Sequence, residues 1–327
     1  MNTTPLVDIL LPTYNHERFI AQAIESVLAQ KTTFGYRIML SDDCSTDSTQ
    51  EILKSYVEKY PGKFELFTSP TNLGALHRER LSMKVLKVCT AKYVAVLEGD
   101  DYWTDCYKLQ KQVDFLENHP KCTLCFHNVQ RFFEDGSRVV SNMYAANQKE
   151  ISTLKDILTA GVFPMPCAIL FRNNLWEELP ECFYSVLNAD WMLCVLIAEH
   201  GKLGYLNEVM AAYRVHGAGI WSRLTYIEGV RENIKTYETI NAYLNFKYHE
   251  VLSKKIAALR ESLCKHEARS CLDQYQGLVQ KGEMIRGFRL LLEAANYAPS
   301  EVFRPRRFAG VVKNGFLGIL YKIGAQN

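Results

Sequence analysis

The stretch Val7-Asp-Ile-Leu-Leu-Pro-Thr-Tyr-Asn15 changes from apolar to polar residues at a single proline. Its first part, Val7–Leu11, is a short apolar run that predicts a buried strand ending at Pro12. Apolar residues then recur at helical spacing from Phe19 to Leu28. A strand that leads directly into a helix predicts the beginning of a βαβ unit.

The same alternation of strand and helix patterns continues through the first hundred residues. Further apolar runs predict strands at Tyr36–Leu40, Phe64–Phe67 and Tyr93–Leu97, with helical patterns between them. Repeated βαβ units predict an α/β fold whose central sheet is mostly parallel, with helices on its faces. Because such sheets bind ligands beyond the carboxyl ends of their strands, the polar residues after the first, second and fourth strands are candidate site residues.

The rest of the chain is predicted to contain mixed elements followed by a helical region. Helices are predicted at Lys108–Asn118 and Met192–Ile197, and the remaining apolar runs predict strands at Cys122–Phe133, Arg138–Val140, Cys167–Phe171, Leu203–Leu206 and Met210–Tyr213. From about residue 223 onward the pattern is almost entirely helical. We therefore predict an α/β domain over residues 1–222 and a helical C-terminal region over residues 223–327.

The composition excludes several classes of protein. Of the 327 residues 48% are hydrophobic, and the formal net charge of +2 argues against nucleic acid as the main partner. The ten cysteines lie mostly in apolar runs and predict buried, reduced thiols rather than a zinc site. The N-terminus lacks the pattern of a signal peptide, and there is no run of about 18 apolar residues. We therefore expect a cytoplasmic protein.

The pair Asp100-Asp101 follows the predicted fourth strand. Adjacent carboxylates at a strand end suit a hard divalent cation such as Mg²⁺ or Mn²⁺, although a plain turn before Tyr102-Trp103 is the alternative. Asp42 and Asp43 follow the second strand, where a carboxylate can accept hydrogen bonds from a base or ribose, or cap the next helix.

The residues Pro12-Thr13-Tyr14-Asn15 follow the first strand. They do not form a glycine-rich phosphate loop, because both glycine-rich signatures are absent. Tyr14 could stack on a base and Thr13 could donate a hydrogen bond. A simple turn with Asn15 as helix cap is the alternative interpretation.

Four segments, taken in this order and spacing, resemble the family 2 glycosyltransferases of bacterial polysaccharide and O-antigen synthesis. They are Ile9–Asn15, Leu40–Asp47, Asn72-Leu-Gly74 and Leu97–Trp103. The resemblance covers roughly residues 5–222. It implies a GT-A fold, a nucleotide-sugar donor and inversion at the anomeric carbon, and it makes residues 1–222 the catalytic domain.

The resemblance also implies roles for particular residues. Thr13, Tyr14 and Asp42 would contact the base, and Asp100 the ribose or the metal shell. Asp101 would bind the divalent ion on the donor diphosphate, although Glu98 stands where the family often has aspartate. Further donor contacts are expected from Pro12, Asn15, Asp43, Asn72, Gly74 and either Arg78 or Arg80.

Asn188-Ala-Asp-Trp191 resembles the segment that carries the family's catalytic base, which makes Asp190 the candidate. An inverting transfer needs one base near the acceptor hydroxyl. The alternative is that Asp190 only caps the helix that follows. His216, before Gly217 and Gly219, would lie near the metal in a loop that closes over the donor; a plain connector is the alternative.

The C-terminal tail combines a basic charge with an amphipathic pattern. After Glu301 there is no acidic residue, and the cations are Arg304, Arg306, Arg307, Lys313 and Lys322. Apolar residues from Phe308 to Ile323 follow helical spacing. This pattern indicates a helix for an anionic membrane surface, or one docked on the catalytic domain. The expected location is therefore cytoplasmic, with peripheral contact at the inner face of the plasma membrane.

Together these patterns predict a metal-dependent glycosyltransferase of the hexosyl or N-acetylhexosaminyl type. It would move a sugar from a nucleotide-diphosphate sugar, expected to be UDP-linked, to a hydroxyl of a glycan or lipid-linked glycan during synthesis of cell-surface polysaccharide. The alternatives are a non-catalytic module that binds nucleotide sugars and a sugar nucleotidyltransferase. The latter needs a glycine-rich triphosphate loop that Pro12–Asn15 does not supply.

Overall fold

The computed structural model describes residues 5–74, 80–145, 147–161, 163–281 and 283–302. The strands are β1 (Val7–Thr13), β2 (Tyr36–Asp42), β3 (Phe64–Thr68), β4 (Tyr93–Val96), β5 (Tyr102–Trp103), β6 (Cys122–Phe133), β7 (Val139–Val140), β8 (Ile151–Ser152), β9 (Leu170–Arg172) and β10 (Lys202–Val215). The helices are α1 (Ile20–Leu28), α2 (Thr49–Lys59), α3 (Leu81–Val88), α4 (Lys108–Asn118), α5 (Leu154–Ala160), α6 (Ala189–Glu199), α7 (Tyr226–Tyr243), α8 (His249–Gln280), α9 (Met284–Tyr297) and α10 (Pro299–Val302). The predicted basic helix at Phe308–Ile323 lies outside the described residues.

Within the described residues the strands form one sheet in the order β3-β2-β1-β4-β9-β6-β10-β5. The pairs β3-β2, β2-β1, β1-β4 and β6-β10 are parallel. β9 is antiparallel to both of its neighbours, β4 and β6. The carboxyl ends of β1, β2, β4, β6 and β10 therefore lie along the same edge of the sheet. The predicted α/β fold with a mostly parallel sheet is confirmed.

The first βαβ units form for the reason that the sequence pattern indicates. α1 buries Ile20, Ala23, Ile24 and Val27, which recur at the helical spacing of one face. That face packs against the sheet, in which every residue of Val7–Leu11 is buried. The alternation of apolar strand and amphipathic helix thus places the loop after each strand at the carboxyl edge.

Two predicted strands differ in detail from the structure. The run predicted as a strand at Cys167–Phe171 begins as a short 3₁₀ helix at Pro166–Ala168, and only Leu170–Arg172 is strand. Pro166 lacks the N–H that a ladder requires. The two strands predicted within 203–213 are one strand, β10, whose pairing with β6 is interrupted between Leu206 and Val209. Extra residues in one strand form such a bulge and redirect its side chains.

The chain divides into two compact units. One comprises the residues up to Arg223 together with Thr239–Tyr248, and the other comprises Leu224–Glu238 and the chain from His249 onward. In the second unit α8 and α9 pack through the buried residues Ala268, Leu272, Ala294 and Ala298. The division of roles between residues 1–222 and 223–327 stays a prediction.

All ten cysteines lie in the described residues and none forms a disulfide. Among the helices that the structure describes, none is both long and apolar enough to span a bilayer.

Candidate active site

The loop between β4 and β5 brings three acidic side chains together at the carboxyl edge of the sheet. Oxygens of Glu98, Asp100 and Asp101 lie within 4.8 Å of one another. The loop is held against β1, because the N–H of Gly99 donates to the carbonyl of Pro12 at 3.0 Å. The sequence segment Leu97–Trp103 therefore forms a compact acidic loop beside the residues that follow β1.

The electrostatics of this loop suit a cation. Burial and repulsion from Asp100 raise the pKa values of Asp101 and Glu98 above their usual range. Oδ2 of Asp101 is buried and accepts no hydrogen bond within the part of the chain that the structure describes. Because carboxylate oxygens are the preferred ligands of Mg²⁺ and Mn²⁺, the residues present fit a divalent ion.

Two histidines flank Asp100. Nε2 of His216, directly after β10, lies 3.0 Å from Oδ2 of Asp100, and Nε2 of His16 lies 3.7 Å from the same oxygen. Burial by itself would raise the pKa of Asp100, but the two histidines more than offset it and the pKa is lowered. His16 is not among the residues that the motifs predict. Its place in the sequence, directly after Asn15, does not by itself distinguish a site residue from a surface residue.

Arg214 connects the end of β10 to the acidic loop. Its backbone N–H donates to Oδ1 of Asp101 at 2.8 Å, and its Nε donates to the carbonyl of Asp100 at 2.9 Å. The guanidinium also lies 4.6 Å from the ring centroid of Phe19. These hydrogen bonds connect β10, which leads directly into His216, to the candidate metal ligands.

The loop after β1 contributes the predicted residues Pro12, Thr13, Tyr14 and Asn15. Thr13 is buried and its carbonyl accepts from the N–H of Asp43, whereas Tyr14 is 39% exposed and accessible to a ligand. Asn15 adopts a positive φ of 54°, and its Oδ1 accepts from the N–H of Thr46 at 2.7 Å. Its side chain therefore joins two loops and does not cap α1.

Asp42, directly at the end of β2, is fully buried. Its carboxylate accepts hydrogen bonds from the backbone N–H and the hydroxyl of Ser45, and from Nε2 of Gln50 at 2.6 Å. These three hydrogen bonds take up most of the roughly four acceptor positions of the carboxylate. The structure therefore assigns Asp42 a position in the loop framework, next to the predicted base-binding residues.

Asp43 reaches the segment that follows β3. Its carboxylate accepts from the N–H groups of Leu73 at 3.0 Å and Gly74 at 2.9 Å. Gly74 has a φ of +68°, a conformation that favours glycine, and Asn72 is exposed beside it. The predicted residues Asp43, Asn72 and Gly74 are thus brought together.

Of the two candidate arginines, the structure describes Arg80. Arg78 lies outside the described residues. Arg80 is buried, and its guanidinium lies 4.6 Å from the ring centroid of Phe183 and 5.7 Å from that of Tyr184. Burial lowers the pKa of Arg80 to about 10, although the negative charge of Asp190 acts in the opposite direction.

Asp190 occupies the first turn of α6. Removal from water raises its pKa to about 6, and the positive charge of Arg80 offsets part of this rise. Asp190 in turn contributes to the raised pKa of Glu98. The candidate base, the acidic loop and Arg80 therefore share one electrostatic environment.

A cavity of about 480 Å³ occurs elsewhere in the same unit. Its lining includes Glu199, Lys202 and Tyr243. Lys202 begins β10, at the opposite end of the strand from His216. The cavity is thus remote from the acidic loop and takes no part in the candidate active site.

The chain belongs to glycosyltransferase family 2. The model of that family, described as "Glycosyl transferase family 2", matches residues 8–179, more than half of the chain. An uncharacterised glycosyltransferase of Haemophilus influenzae is 34% identical over 77% of this chain and 98% of its own length. The predicted family membership is confirmed.

Two further relatives extend this comparison. An uncharacterised Mycobacterium tuberculosis protein is 35% identical over 66% of this chain. The match covers only 60% of the length of that relative. A Bacillus subtilis protein named for teichuronic acid biosynthesis, the glycosyltransferase TuaG, is 28% identical over 65% of this chain and 81% of its own length.

Solved structures agree on the fold. Staphylococcus aureus TarS 1–349 in complex with UDP-GlcNAc matches with a TM-score of 0.55 and 18% identity over 90% of both chains. A mannosyltransferase of Pyrobaculum calidifontis in complex with GDP-Man and Mn²⁺ matches with a TM-score of 0.54 and 16% identity, over 92% of this chain and 88% of that one. The GT-A fold is thereby confirmed.

Proposed function

We propose that this protein is a metal-dependent, inverting glycosyltransferase that moves a sugar from a nucleoside-diphosphate sugar to a hydroxyl group of a glycan or lipid-linked glycan. The observation that carries the proposal is the acidic loop Glu98–Asp101, which meets His216 at the carboxyl edge of the sheet. Family membership supports the class of reaction.

Asp190 is the proposed general base. A raised pKa of about 6 leaves the carboxylate ionised at neutral pH and more basic than an ordinary aspartate. It would accept the proton of the acceptor hydroxyl as that oxygen forms a bond to C1 of the donor sugar and the bond from C1 to the diphosphate breaks. A single base is sufficient for inversion, because the leaving diphosphate needs no proton.

Asp101, Asp100 and His216 are the proposed residues for a divalent cation, Mn²⁺ or Mg²⁺. When bound, the cation would neutralise charge on the departing diphosphate. Asp101 is 1% exposed, and its Oδ1 accepts a hydrogen bond from the backbone N–H of Arg214. The position of its carboxylate is therefore set before any ligand binds. Asp100 is oriented in the same way by its hydrogen bond with His216.

The donor nucleoside is proposed to lie over the loops after β1 and β2. Exposed Tyr14 offers a face for base stacking, and the loops around Asn15 and Asp43 are held together by hydrogen bonds. Pro12, Thr13, Asp42, Asn72, Gly74 and one of Arg78 and Arg80 complete the proposed donor site. A UDP-linked donor is the first candidate, since a solved structure of the same fold is named as a complex with UDP-GlcNAc.

The biological setting is proposed to be synthesis of a cell-surface polysaccharide. The name of the relative TuaG supports this setting. The basic tail after Glu301 supports a cytoplasmic protein that contacts the inner face of the plasma membrane, where a lipid-linked acceptor would be reached.

The test is a thermal-shift panel of UDP, GDP, dTDP and CDP, each with and without Mn²⁺ or Mg²⁺. We expect one diphosphate to stabilise the protein only with metal. At ~100 times its dissociation constant it should add ~2.7 kcal/mol, a shift of about 5 °C or more.

Asp101→Ala should abolish this metal-dependent shift, whereas Asp114→Ala, which changes an exposed aspartate on α4, should retain it. No shift with any diphosphate would contradict the proposal. Metal-dependent binding without turnover of the matching nucleotide sugar, with sugars and lipid-linked glycans offered as acceptors, would instead indicate a binding module.

A further inference from the structure

Arg131, near the carboxyl end of β6, is a half-buried arginine with unusual surroundings. Its Nε is buried and donates to no group within the described residues. No carboxylate of the described chain lies within 4.0 Å of it as an ion pair. The contact found for its guanidinium is the ring of Phe133, 5.7 Å away. A partly desolvated cation that lacks an anion is unfavourable unless a ligand supplies one.

Other arginines of the same unit have protein partners. Arg37 forms an ion pair with buried Asp8 at 3.0 Å. Arg172 donates to the carbonyls of Cys122 and Leu116. Arg214 donates to the carbonyl of Asp100 and to Gln22. Compared with these three side chains, Arg131 has an Nε–H that no described residue accepts.

The sheet register places Arg131 at the edge of the sheet that carries the candidate active site. Arg131 pairs with Tyr213 of parallel strand β10, so the two side chains project from the same face. Both residues lie near the carboxyl ends of their strands, β6 ending at Phe133 and β10 at Val215, so Arg131 lies at the sheet edge that carries the acidic loop. Arg214 and Phe132, the next pair in register, contact each other on the opposite face.

The strand order separates Arg131 from the proposed donor nucleoside. β6 is two places from β4, with β9 between them, and β1 and β2 lie on the far side of β4. The loops proposed for the nucleoside therefore lie on one side of the acidic loop and Arg131 on the other. α6, which carries the proposed base Asp190, packs against β6, so we place the acceptor on that second side.

We propose that Arg131 binds an anionic group, a carboxylate or a phosphate, of the acceptor, and so selects acidic acceptors. This inference rests on the proposed transferase function. A guanidinium suits such a group because its planar donors match the paired oxygens of a carboxylate or phosphate. Within the described residues no carboxylate forms an ion pair with this guanidinium that an acidic acceptor would have to displace.

The test compares anionic and neutral probes that share one sugar ring. Methyl β-glucuronide is titrated against methyl β-glucoside, and glucose 6-phosphate against glucose, by calorimetry of the full chain saturated with Mn²⁺ and the diphosphate that stabilises it. We expect at least one anionic probe to bind roughly tenfold more tightly than its neutral counterpart, as a hydrogen bond to a charged group would give.

Arg131→Gln should remove this preference, and Arg131→Lys should retain part of it. Arg138→Gln is the matched control, because Arg138 is exposed in the turn that follows the same strand. All three variants should bind the diphosphate with metal as wild type does, within about twofold. Retained diphosphate binding shows in the same assay that each variant is folded.

Several results would overturn the inference. Wild type that binds anionic and neutral probes equally in both pairs would do so, as would a preference that survives in Arg131→Gln. Loss of diphosphate affinity in a folded Arg131→Gln would assign the guanidinium to the donor. Failure of the wild type to bind any diphosphate is a separate result and would count against the proposed function.

Discussion

The loops at the carboxyl edge of the sheet differ in how far their polar groups are satisfied by the protein. After β1 and β2, Asn15 and Asp43 accept hydrogen bonds from neighbouring loops, and Asp42 accepts them from its own loop and from α2. After β4, the acids crowd one another, and Oδ2 of Asp101 is buried without a partner in the described residues.

The contrast distinguishes a framework from a binding centre. Hydrogen bonds within the framework hold the loops in one conformation before a ligand arrives, which reduces the ordering required on binding. In the acidic loop, crowded carboxylates destabilise the free protein, and a bound cation or a proton relieves their repulsion. The acidic loop, and not the better bonded loops beside it, is therefore where a cation is expected.

Replacement of the proposed base is expected to give the largest effect. Asp190→Asn should lower kcat by about 10²–10⁴-fold, since the amide cannot accept the acceptor proton, while diphosphate binding with metal is retained. Steady-state transfer and thermal shift measure the two quantities.

The matched control is Asp156→Asn, which alters an acid in the first turn of α5, a helix of the same unit. Asp156 participates in a capping box, so its replacement should reduce stability by about 1 kcal/mol and leave kcat unchanged. If Asp190→Asn behaves like Asp156→Asn, Asp190 is a helix cap and the proposed mechanism is wrong.

A pair of isosteric substitutions should change stability in opposite directions. Asp42→Asn should destabilise the protein by about 1–3 kcal/mol, because the new NH₂ group faces donors from Ser45 and Gln50. Asp101→Asn should stabilise the free protein, because a neutral amide replaces a carboxyl group whose charged form is disfavoured by burial and by Asp100. Chemical denaturation without metal measures both. Destabilisation of similar size in both variants would remove the distinction between framework and acidic loop.

The pH dependence follows from the raised pKa of Asp190. Its pKa rises from 3.8 to about 6 on folding, so the folded state holds this proton more tightly than the unfolded state. That contribution to stability is complete below about pH 3.8 and is lost as the pH rises to about 6. Relative to Asp190→Asn, wild type should therefore lose ~1–3 kcal/mol between pH 4 and pH 7 in the metal-free protein.

Asp156 is the matched case of opposite sign. Its pKa is lowered to about 2, chiefly by its hydrogen bond with Lys149, so the stability that it contributes is present at neutral pH and is lost as the pH falls towards 2. A stability difference between wild type and Asp190→Asn that is the same at pH 4 and pH 7 would contradict the assignment of the raised pKa to Asp190.

The smallest effect is expected from the contact between the framework and the acidic loop. A Cβ at Gly99 would lie 2.8 Å from both Nδ1 of His16 and Oγ1 of Thr13. Gly99→Ala should therefore displace the acidic loop and weaken diphosphate binding with metal by about tenfold, equal to ~1.4 kcal/mol. Calorimetric titration measures the loss.

Gly277→Ala is the control for the glycine substitution. A Cβ at Gly277, within α8, meets nothing within 4 Å. Its replacement should add about 0.5–1 kcal/mol of stability and leave binding unchanged. Equal binding by Gly99→Ala and wild type would show that the two loops are not mechanically connected.

Much of this organisation could be predicted from the sequence. The helical patterns predict Lys108–Asn118, which matches α4, and Met192–Ile197, which lies within α6. The acidic loop was predictable because four motifs occur in the family's order. The contribution of His16 was not, since a histidine after a turn has no local feature that distinguishes a site from a surface.

The sequence by itself determined the alternation of strands and helices, the sheet edge that carries the candidate site, and the family. These properties depend on local periodicity, which is readable over a dozen residues. Only the tertiary structure decided that Asp42 is bonded internally, that Arg214 meets Asp101 from 113 residues away, and that Nε of Arg131 has no acceptor among the described residues. Such contacts depend on the register between distant strands. A polar group can be recognised as unpaired only when the folded structure shows which partners lie near it.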